Sequence, residues 1–490
     1  MIFTSAVVLF FILFVFLAFR RLDWAVMFLL AALPGYRLKF HLAGIPTTFL
    51  ELMILAVFFI WLLRNYRAIF LSLKNRLKKR NRETNQAGRY PFDWEMAALL
   101  LISFIAVFTA GLTMSALGVW KAYFFEPLLF FIVFFNVFMK KAAEEKSFLT
   151  ATSLAVWPLA FSAIIFSFLA GYQYFTGSFL ESDLCPTCAA AATRRAFAVF
   201  GYPNALGLYL GPLVLLFLGC AAALAAEKKW SKILKDYKIA TLFAAAAFSI
   251  AAIVFAKSAG AFFAVAAGLV VFGLLAGKKP RLATVLLIII AAAGIFSVPK
   301  AREAVLKEII LKDFSGQVRR QQWSETWAML QDGRLFFGAG LANYQKAFAP
   351  YHAGGFYYNR DNDPEFMRKI VVWGPTYWKK VWQPVEIYMY PHNIFLNFWS
   401  ELGLLGLLLF VLIIVKFFIL GGKLITDHGS QITDRFFIAG LIGAMVVVVI
   451  HGLVDVPYFK NDLAVMFWLF LAMMGAAGIA LKPDEKKNLK

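Results

Sequence analysis

The chain has 490 residues, of which 61% are hydrophobic, 17% aromatic and only 16% charged. A soluble globular domain carries roughly 45–50% apolar residues, so too few charges are present here to clothe a water-facing surface. The formal net charge of +21 is explained by basic loops between apolar runs; no soluble basic domain exists to bind nucleic acid.

A spanning helix takes about 20 mostly apolar residues. In chain order such runs occupy 2–19, 23–35, 45–63, 95–117, 119–139, 148–171, 203–226, 239–256, 260–276, 282–298, 392–421, 436–455 and 462–481. They predict an all-α polytopic membrane protein with 12 or 13 transmembrane helices, the short run at 23–35 being spanning or half-inserted. The first run lacks a basic stretch before it and a small-residue cleavage site after it, and reads as a membrane segment rather than a removed signal peptide.

Sidedness follows from the loops. Arg64, Arg67, Lys74, Arg76, Lys78, Lys79, Arg80, Arg82 and Arg89 face Glu83 alone between 64 and 90, which predicts a cytoplasmic loop. Alternation then puts Lys140-Lys141, Glu227–Lys238, Lys278–Arg281 and the Lys-rich C-terminus on the same side. The loops at 172–202, 257–259, 299–391 and 456–461 fall outside. The expected organisation is 1–298 as transmembrane helices 1–10, 299–391 as a large extracytoplasmic loop, and 392–490 as the C-terminal transmembrane helices and a short tail. Within the large loop, Val318, Trp323, Trp327 and Leu330 are spaced as one apolar helical stripe, suited to lying on the membrane or capping the bundle.

The large loop ends in Tyr390-Pro391-His392-Asn393. Pro391 favours a helix start, which places His392 and Asn393 at the water–lipid boundary. An ordinary histidine titrates near 6.5, so His392 reads either as an interfacial helix cap or as a general base. Arg194, Arg195, Lys257, Arg319 and Arg320 are outward-facing cations, read as headgroup contacts or as ligands of a pyrophosphate, whose oxygens an arginine fork matches. His451 and Asp455 lie four apart at an outer helix end, as a functional pair or as a bundle-steadying one. His41, His352 and His428 show no partner pattern. Asp361-Asn362-Asp363 reads as a turn before it reads as a metal site. Cys185 and Cys188 form one C-x-x-C in an outer loop where a disulfide can form, and Cys220 lies in an apolar run. No P-loop, zinc-protease or nucleophile-elbow pattern is present.

Four stretches together resemble the O-antigen ligase and polymerase superfamily: Arg319-Arg320-Gln321-Gln322-Trp323, Leu335–Tyr344, Tyr390–Asn397 and Glu401–Gly406. Phe200–Gly207 looks like that family's upstream Pro-Asn motif. The resemblance covers the second half of the chain in its motifs. It implies a membrane glycosyltransferase of the bacterial cytoplasmic (inner) membrane. Such enzymes move a glycan from an undecaprenyl-pyrophosphate donor to a glycan, lipid A core or protein acceptor, with inversion and without metal or cofactor. It maps the family's base onto His392 and its pyrophosphate ligand onto Arg319 or Arg320; beside these, Arg194, Arg195, Lys257, Tyr390 and Asn393 are expected as further substrate-binding residues. One departure is Ala259 in Lys257-Ser258-Ala259-Gly260, where the family often carries arginine; Lys257, Arg194 and Arg195 are the cations nearest in sequence to replace it. The competing reading is a lipid or solute transporter, for which Glu51 and Glu126 inside apolar runs are the relevant charges.

Overall fold

A computed structural model describes residues 2–42, 45–78, 90–181, 185–191, 193–226, 228–233, 235–427 and 432–481. Lys79, Arg80, Arg82, Glu83 and Arg89 of the basic loop, Glu227, His428 and the lysines of the C-terminal tail lie outside the described residues. Of Lys74, Arg76 and Lys78 only the helical backbone is described.

Each apolar run falls mainly on helix, the one at 45–63 beginning in a short strand, Ile45–Thr48. The first half contains α1 (Ile2–Arg20), α2 (Leu22–Ala31), α3 (Phe49–Lys78), α4 (Asp93–Thr109), α5 (Met114–Trp120), α6 (Glu126–Glu144), α7 (Phe148–Ala151), α8 (Ser153–Thr176), α9 (Pro203–Ala225) and α10 (Trp230–Ile233). The second contains α11 (Tyr237–Ala256), α12 (Ala259–Leu275), α13 (Lys278–Ser297), α14 (Pro299–Ile309), α15 (Phe314–Met329), α16 (Tyr344–Phe348), α17 (Phe366–Val381), α18 (Ile394–Asp427), α19 (Ile432–Gly452) and α20 (Asn461–Ala480). Among the described residues, 9 helices are long and apolar enough to cross a membrane, and 3 shorter apolar helices accompany them. Among the described residues, strand is confined to two short antiparallel pairs, Lys39–Leu42 with Ile45–Thr48 and Gly355–Tyr357 with Trp382–Pro384.

The run predicted at 95–117 stops early, at Thr109. Gly111 and Leu112 both take positive φ, and the Thr113 hydroxyl accepts from the Ala116 amide at 3.2 Å to start α5 afresh. From there α5 runs through a π-helical turn at Lys121–Phe125 into α6.

The core is α9, sheathed by α11, α12 and α19. Gly219 and Gly440 let α9 and α19 touch backbone to backbone: a Cβ added at Gly219 would lie 2.7 Å from the Gly440 Cα. Close approach through small residues is how helices associate in lipid, where no hydrophobic drive separates one apolar surface from another. The carboxylates of Glu51 and Glu95, buried inside the bundle, are paired with Lys121 at 2.7 Å and Lys416 at 2.6 Å. By contrast α13 buries no residue in the chain and presents its whole apolar surface outward.

The large loop is bolted to α18. In α18 the backbone breaks at Gly403 (φ +77°), and the Leu335–Tyr344 stretch lies against the break. Ala339 donates to the Ser400 carbonyl at 2.6 Å, Leu404 to that of Phe336 at 3.1 Å, and Ala342 to the Glu401 carboxylate at 3.0 Å. A Cβ on Gly403 would sit 2.0 Å from the Phe336 carbonyl oxygen, so only glycine fits both the φ and the space. The two motifs around Gly338 and Gly403 are thus the two halves of one backbone joint.

Candidate functional site

Loops distant in sequence meet at one end of the bundle, around the turn that follows α19. Asp455 is the centre. It is 1% exposed; its Oδ2 accepts from the Asn204 side chain at 3.1 Å and its Oδ1 from the Val456 amide at 2.9 Å. His392 Nδ1 lies 3.8 Å from the same Oδ1, within ion-pair reach and just beyond a hydrogen bond, with no other partner.

Pro391 does not begin the helix; Asn393 does. Its Oδ1 accepts from the Leu396 amide at 3.0 Å, capping α18, and its Nδ2 donates to the Leu453 carbonyl at 3.1 Å. His392, just ahead of the cap, is forced into the left-handed region at φ +47°, a conformation that a non-glycine residue holds only when its surroundings impose it. The surroundings are visible: the rings of Tyr388 and Tyr390 stand edge-on to the imidazole at 5.1 and 4.9 Å. The reading of His392 as a helix cap is therefore replaced, because Asn393 fills that place.

The Arg-Arg-Gln-Gln-Trp run explains the clamp on this turn. Residues three and four apart share a helix face. On α15, Arg319 donates to the Val454 carbonyl at 2.9 Å, Gln322 to that of Tyr390 at 2.9 Å and Trp323 to that of Pro391 at 2.8 Å. Val318 and Leu330 are buried. So α15 caps the bundle rather than lying flat on a membrane. Arg320 points away from this face and is exposed.

Of the two neighbouring arginines in the upstream loop, Arg195 enters the site and Arg194 does not. Arg195 donates to the carbonyls of Ala256 and Lys257 at 2.9 and 3.2 Å, with a longer contact to Asn204 Oδ1 at 3.4 Å. Arg194 donates to the Tyr174 and Phe175 carbonyls at 3.0 and 3.2 Å, closing the C-terminal end of α8. Lys257 contributes its carbonyl, while its exposed ammonium lies 6.0 Å from the Tyr174 ring centre. Ser258 donates to Asn204 Oδ1 at 3.2 Å.

The electrostatics favour a cationic pocket with one fixed negative charge. Burial, then the like charge of Arg319, lowers the Arg195 guanidinium from its ordinary range. Burial by itself would raise Asp455; attraction to His392, His451 and Arg319 outweighs it and holds the carboxyl well below its usual range. His451 packs against Gly260, where a Cβ would come within 3.2 Å of its ring nitrogen. Asp455 is therefore shared, with its closer approach to His392 rather than to its neighbour in sequence.

Other sequence candidates resolve elsewhere. Asp363 accepts from Lys369 at 2.5 Å within an Asn359-centred turn. His352, for which sequence offered no partner, bridges Glu325 at 3.2 Å and the Val385 carbonyl at 2.9 Å. Cys185 and Cys188 form a disulfide, with Cys188 buried against Leu180 and Phe197. Among the described residues, no group of 3 or more His, Cys, Asp or Glu is placed to hold a metal ion. Sequence reasoning passed over Lys460 and Arg37: Lys460 follows Asp455 closely in the chain but meets Tyr36, Phe200 and Tyr202 from distant loops, and Arg37 lies against the equally distant Gly201.

Residues 244–411 match a family model described as O-antigen ligase. The matched segment runs from α11 into α18 and includes Lys257, Arg319, Arg320, Tyr390, His392 and Asn393. No curated protein is significantly similar to the chain.

Proposed function

We propose that this chain, whose residues 244–411 match an O-antigen ligase family model, is a lipid-linked glycan transferase of the O-antigen ligase/polymerase superfamily, with a specific reaction and site. The donor is a glycan on undecaprenyl pyrophosphate, taken at the outer face of the cytoplasmic membrane. The acceptor is a hydroxyl of another glycan, of lipid A core or of a protein.

His392 is the general base. Its Nδ1 faces Asp455, which leaves Nε2 for the acceptor. The acceptor hydroxyl gives its proton to Nε2 while its oxygen forms a bond to the anomeric carbon. The bond from that carbon to the diphosphate oxygen breaks on the opposite face, and the diphosphate leaves with the electron pair, inverting the centre. Asp455 balances the imidazolium. Arg319 and Arg195 oppose the charge that develops on the diphosphate, the kind of fixed electrostatic stabilisation worth most in a partly dry site. Exposed Arg320 and Lys257 are available to the headgroup, Tyr390 and Asn393 frame the base, and Arg194 holds the loop. The residues require no metal or cofactor for this step.

The observation that carries the reading is the His392–Asp455 pair, at 3.8 Å, held beside two guanidinium groups. His392→Ala is expected to lower glycan transfer by about 10²–10⁴-fold, the usual contribution of a general base, with insertion and folding preserved. Transfer by purified His392→Ala at the wild-type rate overturns the assignment.

A further inference from the structure

Two buried polar atoms without a hydrogen-bond partner, Lys460 Nζ and the Tyr36 hydroxyl, lie together, with the buried carboxylate of Asp462 acting on both. Lys460 Nζ is enclosed by aromatic rings, at 5.0 Å from Tyr36, 5.1 Å from Tyr202 and 5.6 Å from Phe200. Ring faces attract a cation but accept none of its three N–H donors in the way an oxygen does. Burial lowers the tendency of this ammonium to stay charged and Arg37 adds to that effect, while Asp462 and Asp455 oppose it. Arg37 lies against Gly201, where a Cβ would be 3.3 Å from its guanidinium nitrogens.

Tyr202 and Lys460 are the N-cap residues of α9 and α20, and neither caps with its side chain. The positive ends of two long helices therefore lie at the cluster, a setting that favours an anion. Two cations and two helix ends outweigh the carboxylates of Asp462 and Asp455 that act on Lys460. The cluster adjoins the catalytic turn: the Tyr202 and Tyr390 hydroxyls are 3.2 Å apart, and Tyr390 stands against His392.

We propose that Lys460 and Arg37 form an anion subsite, beyond the Tyr202–Tyr390 pair from His392, that takes phosphoryl oxygens of a prenyl diphosphate. The identity of the ligand rests on the glycan-transfer reading; the anion site itself rests on the orphaned ammonium and its surroundings.

The test is binding of farnesyl diphosphate and of inorganic pyrophosphate to the purified full chain. Lys460→Met and Arg37→Gln are each expected to weaken farnesyl diphosphate binding about tenfold or more, the scale of a lost hydrogen bond to a charged group, and Lys460→Arg to retain it. Equal losses for pyrophosphate show that the phosphoryl group alone is read; losses for farnesyl diphosphate only show that the prenyl chain is needed to seat it. Arg37 is exposed, so its variant keeps the test alive if Lys460→Met does not fold. Wild-type-like binding of both probes by Arg37→Gln, or by a folded Lys460→Met, overturns the subsite. Transfer is scored in parallel. Absent wild-type transfer with intact Lys460-dependent binding fails the glycan-transfer reading alone; transfer that depends on His392 with binding indifferent to Lys460 fails the subsite alone.

Discussion

Asp455 is the residue on which the pocket's charge balance turns, and its titration gives a measurable consequence. The folded state holds the carboxyl below its ordinary value of 3.8, burial being outweighed by His392, His451 and Arg319. The unfolded chain then binds the proton more tightly than the folded one. The stability this supplies is complete above that ordinary value and is lost as pH falls below it toward the folded value. Asp455→Asn is expected to flatten the acid limb of a stability-against-pH profile measured by thermal unfolding in detergent; an unchanged limb contradicts the role. A second residue-scale contrast separates the two arginines on α15. Arg319 reaches the Val454 carbonyl and feels Asp455, whereas Arg320 is exposed. Arg319→Ala is expected to cost about tenfold or more in donor affinity, and Arg320→Ala a change of about threefold or less, in the range of surface substitutions. Reversal of that order in a direct binding assay places the diphosphate on the other side of the helix. Sequence could nominate both arginines but not choose, since the choice depends on which face of α15 the turn after α19 meets.

At the scale of elements, the loop and α18 are joined by backbone geometry that one residue controls. Gly403→Ala adds a Cβ at a positive φ and only 2.0 Å from the Phe336 carbonyl oxygen; the expected loss is about 2 kcal/mol or more, read as a lowered unfolding temperature, and a neutral result means the joint yields. Trp323→Phe is gentler. It keeps the ring and deletes the indole N–H that donates to the Pro391 carbonyl, for an expected cost of about 1 kcal/mol and a transfer rate reduced several-fold through looser placement of His392. A rate equal to wild type shows that Gln322 and the Asn393 cap suffice to fix the turn. The helices themselves were legible in the sequence because long apolar runs at bilayer length admit few other structures. The break between α4 and α5 was not, since Gly111-Leu112-Thr113 sits inside an apolar stretch that hydropathy reads through. The four motifs were legible as a set, but not that the Gly338 and Gly403 stretches are hydrogen-bonded to each other; periodicity carries no information about partners 60 residues away.

At the scale of the whole molecule, the His392 turn, the Lys460 cluster and the capped end of α15 share one end of the bundle. The loops near Phe148, Leu275 and Arg435 meet at the other, where Arg435 donates to the Leu275 carbonyl at 2.8 Å and Phe148 packs on Phe437. Charge counting assigns the second end to the cytoplasm, and the proposed reaction needs the first outside, because a long lipid-linked glycan must reach His392 without crossing the bilayer. The native cysteines allow a clean test: Cys185 and Cys188 are joined to each other and Cys220 is buried, so an introduced thiol stands alone. Met389, 68% exposed beside the His392 turn, and Lys140, whose side chain is 78% exposed at the opposite end, are suitable positions. A membrane-impermeant maleimide applied to intact cells, with outer-membrane access provided where an outer membrane is present, is expected to label Met389→Cys and to reach Lys140→Cys only after the cytoplasmic membrane is opened. Labelling in the reverse order puts His392 on the cytoplasmic side, where the proposed donor presents no finished glycan, and the glycan-transfer mechanism then fails by topology whatever the chemistry of the pocket.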